Sequence, residues 1–130
     1  ENWSPIVLVR RHLSYPELLA FYRLGTLCIV SSLHDGMNLV AKEFVSARTD
    51  LDGVLLLSQF TGAARELTDS ILINPYDIDD FADKIHFAIN LSPEEREKRM
   101  LKMRQVVEGN NIYRWAGKMI SELLKFEFKE

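Results

Sequence analysis

Leu27-Cys28-Ile29-Val30-Ser31-Ser32-Leu33-His34-Asp35-Gly36-Met37-Asn38-Leu39-Val40-Ala41-Lys42-Glu43 runs from an apolar stretch through a polar turn into a helical pattern. The first four residues are continuously apolar rather than alternating. That pattern suits a strand buried on both faces, as in a parallel sheet. Residues 31–36 are turn-rich, and a helix is expected over residues 38–48. Leu39, Val40, Phe44 and Val45 supply its apolar spacing. Strand, turn and helix in this order make one βα unit.

The same unit recurs on either side. Ile6-Val7-Leu8-Val9 follows Pro5 and reads as an earlier strand. Ser14-Tyr15-Pro16-Glu17 then opens a helix, with Ser14 as N-cap, Pro16 in the first turn and Glu17 completing a capping box. Leu18, Phe21 and Tyr22 give that helix an apolar face, and Gly25 closes it. After a connector, Val54-Leu55-Leu56-Leu57-Ser58 is a third strand, residues 62–67 a short helix, and Ile71-Leu72-Ile73 a fourth strand stopped by Asn74-Pro75. The remainder is helical. Residues 77–90 carry Ile78, Phe81, Ile85 and Ile89 on one face. Ser92-Pro93-Glu94-Glu95 reads as a second capping box, opening a helix to about Glu108. A last helix follows the break at Asn110-Asn111 and carries Ile112, Trp115, Met119, Ile120 and Leu123, with Trp115 and Met119 expected in core packing or against another domain. Four apolar strands separated by helices imply α/β architecture with a parallel sheet. Such sheets bind ligands at the carboxyl ends of their strands, here the loops after Val9, Val30, Ser58 and Ile73.

Composition narrows the chemistry. The chain has 130 residues and a formal net charge of −3; residues 1–65 carry six basic and six acidic groups, residues 66–130 ten and thirteen. With no basic tail in either half, a broad electrostatic grip on nucleic acid or an anionic membrane is not expected. The single cysteine, Cys28, excludes an internal disulfide framework and points to a cytoplasmic setting. It sits mid-strand and reads as a small buried hydrophobe. No apolar run approaches the roughly 20 residues that span a bilayer. His12, His34 and His86 show no i, i+4 pairing, so no metal site is expected. The charges of residues 94–104 read as a solvated helix face. The opening Glu1-Asn2-Trp3-Ser4-Pro5, without an initiator Met, reads as a cut inside something longer.

The loop after the second strand is the candidate site. Gly36 permits positive φ or close backbone approach. The helix that follows presents unpaired N–H groups and its positive dipole end, where a phosphate or diphosphate fits without a basic side chain. Glu43, one turn inside, can accept hydrogen bonds from a ribose diol. Taken alone, a Gly in a strand-to-helix turn and an Asn at an N-cap also serve an ordinary turn.

The full string is more specific. Asp35-Gly36-Met37-Asn38-Leu39-Val40-Ala41-Lys42-Glu43 resembles the signature of the trehalose-6-phosphate synthases, retaining sugar-nucleotide glycosyltransferases with two Rossmann-like domains (the GT-B fold). In register with it, Leu57-Ser58-Gln59-Phe60-Thr61-Gly62-Ala63-Ala64 and Ile73-Asn74-Pro75-Tyr76-Asp77 resemble two further segments of that family. His34 departs from it, standing where many members have Arg.

The resemblance implies that residues 1–130 are the later part of the C-terminal UDP-sugar-binding domain, with the N-terminal domain and the first βα units outside this sequence. In the usual strand order 3-2-1-4-5-6, the chain would supply strands 3 to 6. The last three would be neighbours, and Ile6-Val7-Leu8-Val9 would re-pair, swap with another copy in a homo-oligomer, or stand as an exposed edge. The implied reaction transfers glucose from UDP-glucose to glucose 6-phosphate, giving trehalose 6-phosphate. It implies no cofactor and no metal. Asp35 would contact the donor glucose. Gly36, Met37 and Asn38 would lie near sugar and diphosphate, Leu39 and Val40 would offer N–H groups to the phosphates, and Glu43 would hold the ribose. Uracil would meet backbone at about His12-Leu13. Two alternatives stand beside this reading: a relative using another acceptor, such as glycerol 3-phosphate, and a non-catalytic or regulatory nucleotide-binding chain. The 130 residues alone are expected to catalyse no transfer.

Overall fold

The computed structural model describes residues 3–126. Among them are three strands, β1 (Leu27–Val30), β2 (Val54–Ser58) and β3 (Ile71–Ile73). The helices are α1 (Tyr15–Leu24), α2 (Leu39–Ala47), α3 (Ile78–Ile89), α4 (Pro93–Gly109) and α5 (Ile112–Leu123), and a short 3-10 helix spans Gly62–Arg65. All strand pairing is parallel, in the order β1-β2-β3. Leu27 pairs with Val54 and Val30 with Leu57; Leu56 pairs with Ile71 and Ser58 with Ile73.

β2 is the central strand, and all five of its residues are buried. Its alternation divides the core in two. Leu55 and Leu57 pack with Phe44 and Val45 of α2 and with Met100 and Met103 of α4. Val54 and Leu56 pack with Ile71, Ile73 and Ala88, flanked by Phe81 and Ile85 of α3. Helices therefore cover both faces, which is why β2 is apolar at consecutive positions. Full burial of one Leu contributes about 1.5–3 kcal/mol, so the Leu55-Leu56-Leu57 run anchors both layers.

The expected strand at Ile6-Val7-Leu8-Val9 does not form. None of these residues pairs with the sheet, and Ile6, Val7 and Leu8 are 78%, 82% and 68% exposed. A strand requires a neighbour to take its backbone hydrogen bonds, and none lies alongside this segment among the described residues. The last three strands are neighbours, as the usual order requires.

Three helix readings also change. On α3, Ile78 and Ile89 are exposed, and the packed face is Phe81, Ile85 and Ala88. At α4, Ser92 Oγ accepts from the Glu95 N–H at 3.3 Å, but the Glu95 carboxylate turns to Arg99 at 2.9 Å, so only half of a capping box is made. Trp115 and Met119 of α5 are 48% and 44% exposed rather than packed in the core, and no residue of that helix is buried.

At α1 the reading holds. The Glu17 carboxylate accepts from the Ser14 N–H at 2.9 Å and pairs with Arg11 at 2.7 Å. Arg48 ties this helix to α2. Although charged, it is 3% exposed, and its guanidinium donates to the carbonyls of Tyr22, Arg23 and Gly25 at 2.8–3.0 Å and to Asp50 at 3.0 Å. It thereby satisfies the terminal carbonyls of α1, which lack intrahelical partners.

Candidate functional site

β1 ends at Val30, and its loop crosses the carboxyl edge of the sheet before entering α2. The loop is ordered by Asp35. Its Oδ1 accepts from the N–H groups of Met37 and Asn38, both at 3.0 Å, and its Oδ2 accepts from the Asn38 side-chain amide at 3.0 Å. These donors hold the Asp35 carboxyl below the usual range, with Met37 N–H the largest influence; the Asn38 groups and nearby His34 act in the same direction. Asn38 in turn accepts from the Ala41 N–H at 2.9 Å and caps α2.

Positive φ falls on Asn38, at 66°, and not on Gly36. A short carboxamide can bond locally in that conformation. Gly36 does not need the other expected freedom, close backbone approach, either: a Cβ on it would meet nothing within 4 Å, and the position with no room for a side chain is Gly62. A Cβ on Gly62 would stand 2.1 Å from the Gly36 carbonyl oxygen. The loops after β1 and β2 are stitched together here. Asp35 N–H donates to Phe60 O at 3.3 Å, Gly62 N–H to Asp35 O at 3.0 Å, and Ala63 N–H to Met37 O at 3.0 Å.

The N–H groups of Met37 and Asn38 are thus spent inside the loop. Those of Leu39 and Val40, at the head of α2, have no protein acceptor among the described residues. Both side chains are exposed, 60% and 45%. Glu43 follows one turn later and accepts from the Tyr22 hydroxyl at 3.2 Å. Burial, and then the Glu43 carboxylate, push the Tyr22 phenol up to about 12.

Three hollows surround this region. One of ≈ 420 Å³ lies between α1 and α2 and brings Leu39 and Glu43 together with Tyr15 and Leu19. A second, ≈ 410 Å³, joins Asp35 and Gly36 to His34, Phe60 and Arg65. A third, ≈ 310 Å³, joins Gly36 and Met37 to Arg114, Trp115 and Lys118 of α5. Leu13, Asn38 and Val40 line none of these; Leu13 is half-buried just before the Ser14 cap, two residues from Tyr15. Lys42 is paired with Glu66 at 2.9 Å, so its charge is already matched. Among the described residues no cluster of His, Cys, Asp and Glu could hold a metal ion, and no helix is long and apolar enough to cross a membrane.

Sequence reading missed Tyr22 as a partner of Glu43, and Gly62 as the close contact of Gly36. For Tyr22 there is no local signal, because its partner lies 21 residues away. For Gly62 there was one: a glycine placed shortly after the next strand, where two strand-end loops meet.

Parallel βα units with polar loops at the strand ends define a Rossmann-like α/β domain. The sequence profile of glycosyltransferase family 20 matches residues 1–125. Trehalose-6-phosphate synthase of Mycolicibacterium smegmatis is 45% identical over 124 residues, covering 95% of this chain and 25% of that protein. Glucosylglycerol-phosphate synthase of Picosynechococcus sp. is 43% identical over 121 residues, covering 93% and 24%. A solved structure described as trehalose-6-phosphate from E. coli bound with UDP-2-fluoro glucose superposes with a TM-score of 0.89 at 40% identity, covering 96% of this chain and 28% of that one. The chain belongs to glycosyltransferase family 20. It spans about a quarter of the length of the curated relatives it matches.

Proposed function

We propose that this chain forms part of the donor side of a retaining glucosyltransferase that moves glucose from UDP-glucose to glucose 6-phosphate, giving trehalose 6-phosphate. The observation that carries the reading is the head of α2. The free N–H groups of Leu39 and Val40 stand one turn before the Glu43 carboxylate, in a chain of this family. In this reading the N–H groups and the helix dipole receive the diphosphate. They stabilise the charge that develops on it as the glycosidic bond to the donor breaks. Glu43 holds the ribose hydroxyls, and backbone near Leu13 meets the uracil. Asp35 contacts the donor glucose through whatever capacity its loop bonds leave, and Gly36, Met37 and Asn38 shape the floor beneath sugar and diphosphate. No cofactor enters this scheme; UDP-glucose is a substrate.

A second acceptor, glycerol 3-phosphate, is favoured by one observation. The identity to glucosylglycerol-phosphate synthase, 43%, nearly equals the 45% to trehalose-6-phosphate synthase. The donor loop serves either acceptor equally. The test is UDP release by the full-length protein from UDP-glucose with glucose 6-phosphate and glycerol 3-phosphate in turn. Release that requires glucose 6-phosphate supports the first reading. Release that requires glycerol 3-phosphate supports the second. Nucleotide binding with no transfer to either acceptor overturns both and leaves a regulatory nucleotide-binding role. Glu43→Ala is expected to weaken UDP binding in every case where the site is used.

A further inference from the structure

Tyr22 stands behind Glu43. Its hydroxyl donates to Glu43 Oε2 at 3.2 Å, and Glu43 Oε1 has no protein donor among the described residues. Glu43 lines the hollow between α1 and α2, whereas Tyr22 does not. The tyrosine is fixed from two directions. Its ring meets the buried Phe44 ring edge-on, with centroids 6.1 Å apart at 78°. Its own carbonyl is held by the buried Arg48 guanidinium at 3.0 Å. A glutamate on a helix surface otherwise samples many rotamers, and ordering it on ligand binding costs conformational entropy. A rigid hydroxyl that occupies one carboxylate oxygen removes part of that cost and aims the other oxygen.

We propose that Tyr22 is a positioning residue for nucleotide recognition, holding the Glu43 carboxylate so that its second oxygen receives the ribose hydroxyls of a uridine diphosphate donor. This deepens the donor-site reading given above and rests on it. Tyr22 touches no part of the ligand itself; it acts through Glu43. Tyr22→Phe removes only the hydroxyl and keeps the edge-on packing against Phe44, so the fold is retained.

The experiment is calorimetric titration of the full-length protein with UDP and with 2′,3′-dideoxyuridine 5′-diphosphate, which lacks the ribose diol. It is run on the parent, Tyr22→Phe, Glu43→Ala and the double variant. Tyr22→Phe is expected to weaken UDP by about three- to tenfold, the effect of one lost hydrogen bond to a charged group in a partly exposed setting. It should leave the dideoxy probe unchanged, and it should add nothing once Glu43 is Ala. Equal weakening of both probes would show a structural role and overturn the proposal, as would unchanged UDP binding in Tyr22→Phe alone. If Glu43→Ala itself fails to weaken UDP selectively over the dideoxy probe, the donor-site reading fails first and takes this proposal with it.

Discussion

Gly62 approaches Gly36 so closely that a methyl group on its Cα would lie 2.1 Å from the Gly36 carbonyl oxygen and 2.9 Å from the carbonyl carbon. Both obstacles are backbone, so no side chain can swing aside. Gly62→Ala must push the two strand-end loops apart and break the Gly62 N–H to Asp35 O bond. Overpacking of this kind costs about 1–3 kcal/mol. Gly36→Ala is the control. A Cβ there meets nothing within 4 Å, and its φ is not positive. The reduced freedom of the unfolded chain makes that change neutral or stabilising by up to about 1 kcal/mol. Urea unfolding of the two variants should therefore move the midpoint in opposite directions, or move it only for Gly62→Ala.

Arg48→Ala is expected to be among the most damaging single changes outside the apolar core. It strands three carbonyls at the end of α1, those of Tyr22, Arg23 and Gly25, and releases Asp50. Leaving buried acceptors unpaired costs about 1–3 kcal/mol each where water cannot reach them. Arg48→Lys keeps the charge but lacks the planar fork, and restores only part of the loss. Thermal unfolding should rank parent above Lys above Ala. An Ala variant as stable as the parent would show that the guanidinium grip is incidental.

Much of this fold was legible because the strands are short apolar runs between strong stop signals. β2 and β3 have the expected bounds, since Gly53 precedes one and Asn74-Pro75 ends the other. Ile6-Val7-Leu8-Val9 carries the same signal yet forms no strand. Its apolar residues report a need for burial, while pairing depends on a neighbour that local sequence does not supply. Periodicity placed α3 and put Phe81 and Ile85 on its packed face, but misjudged the two ends of that face. Ala88, an inconspicuous residue, is fully buried while Ile78 and Ile89 are not. Arg48 and Tyr22 were illegible for a related reason: their partners lie 21 to 26 residues away on another helix. At the site, strand, turn and helix were readable. Which residue takes positive φ was not, because Asn38 gains two local side-chain bonds that Gly36 cannot make.

Acid should loosen the start of α1. The Glu17 carboxyl is drawn from its ordinary 4.5 down to about 2, first by Arg11 and then by the Ser14 N–H and hydroxyl. A carboxyl with a depressed folded value stabilises the native state above its unfolded value. It loses that contribution as pH falls toward the folded one. The window is therefore pH 4.5 to 2. Both partners are exposed, so the effect is small and screened by salt. Glu17→Gln should be slightly less stable than the parent at neutral pH, with the gap in midpoint temperature closing toward pH 2. A gap that persists unchanged at that pH would assign the effect to something other than the ionised carboxylate.

Asp35 builds its loop, and one pair of substitutions tests whether it also contacts the donor. Its Oδ1 orders the turn through Met37 and Asn38, and its Oδ2 holds the Asn38 amide that helps start α2. Asp35→Ala removes all of this, leaving two N–H groups and one amide to find water, at about 1–3 kcal/mol. Asp35→Asn keeps an oxygen for the two N–H groups but sets one NH2 against another at Asn38. Its structural loss should be smaller, roughly 1 kcal/mol. If Asp35 only builds the loop, transfer activity should follow stability, with Asn much closer to the parent than Ala. The donor-contact reading requires otherwise. A carboxylate that engages the sugar as the glycosidic bond breaks cannot be replaced by an amide of the same shape. We therefore expect Asp35→Asn to lower kcat/KM by about 10²-fold, nearly as far as Asp35→Ala, despite its better-preserved fold. Steady-state rates with UDP-glucose, set beside unfolding midpoints for the same two proteins, decide between a residue that shapes the site and one that also works within it.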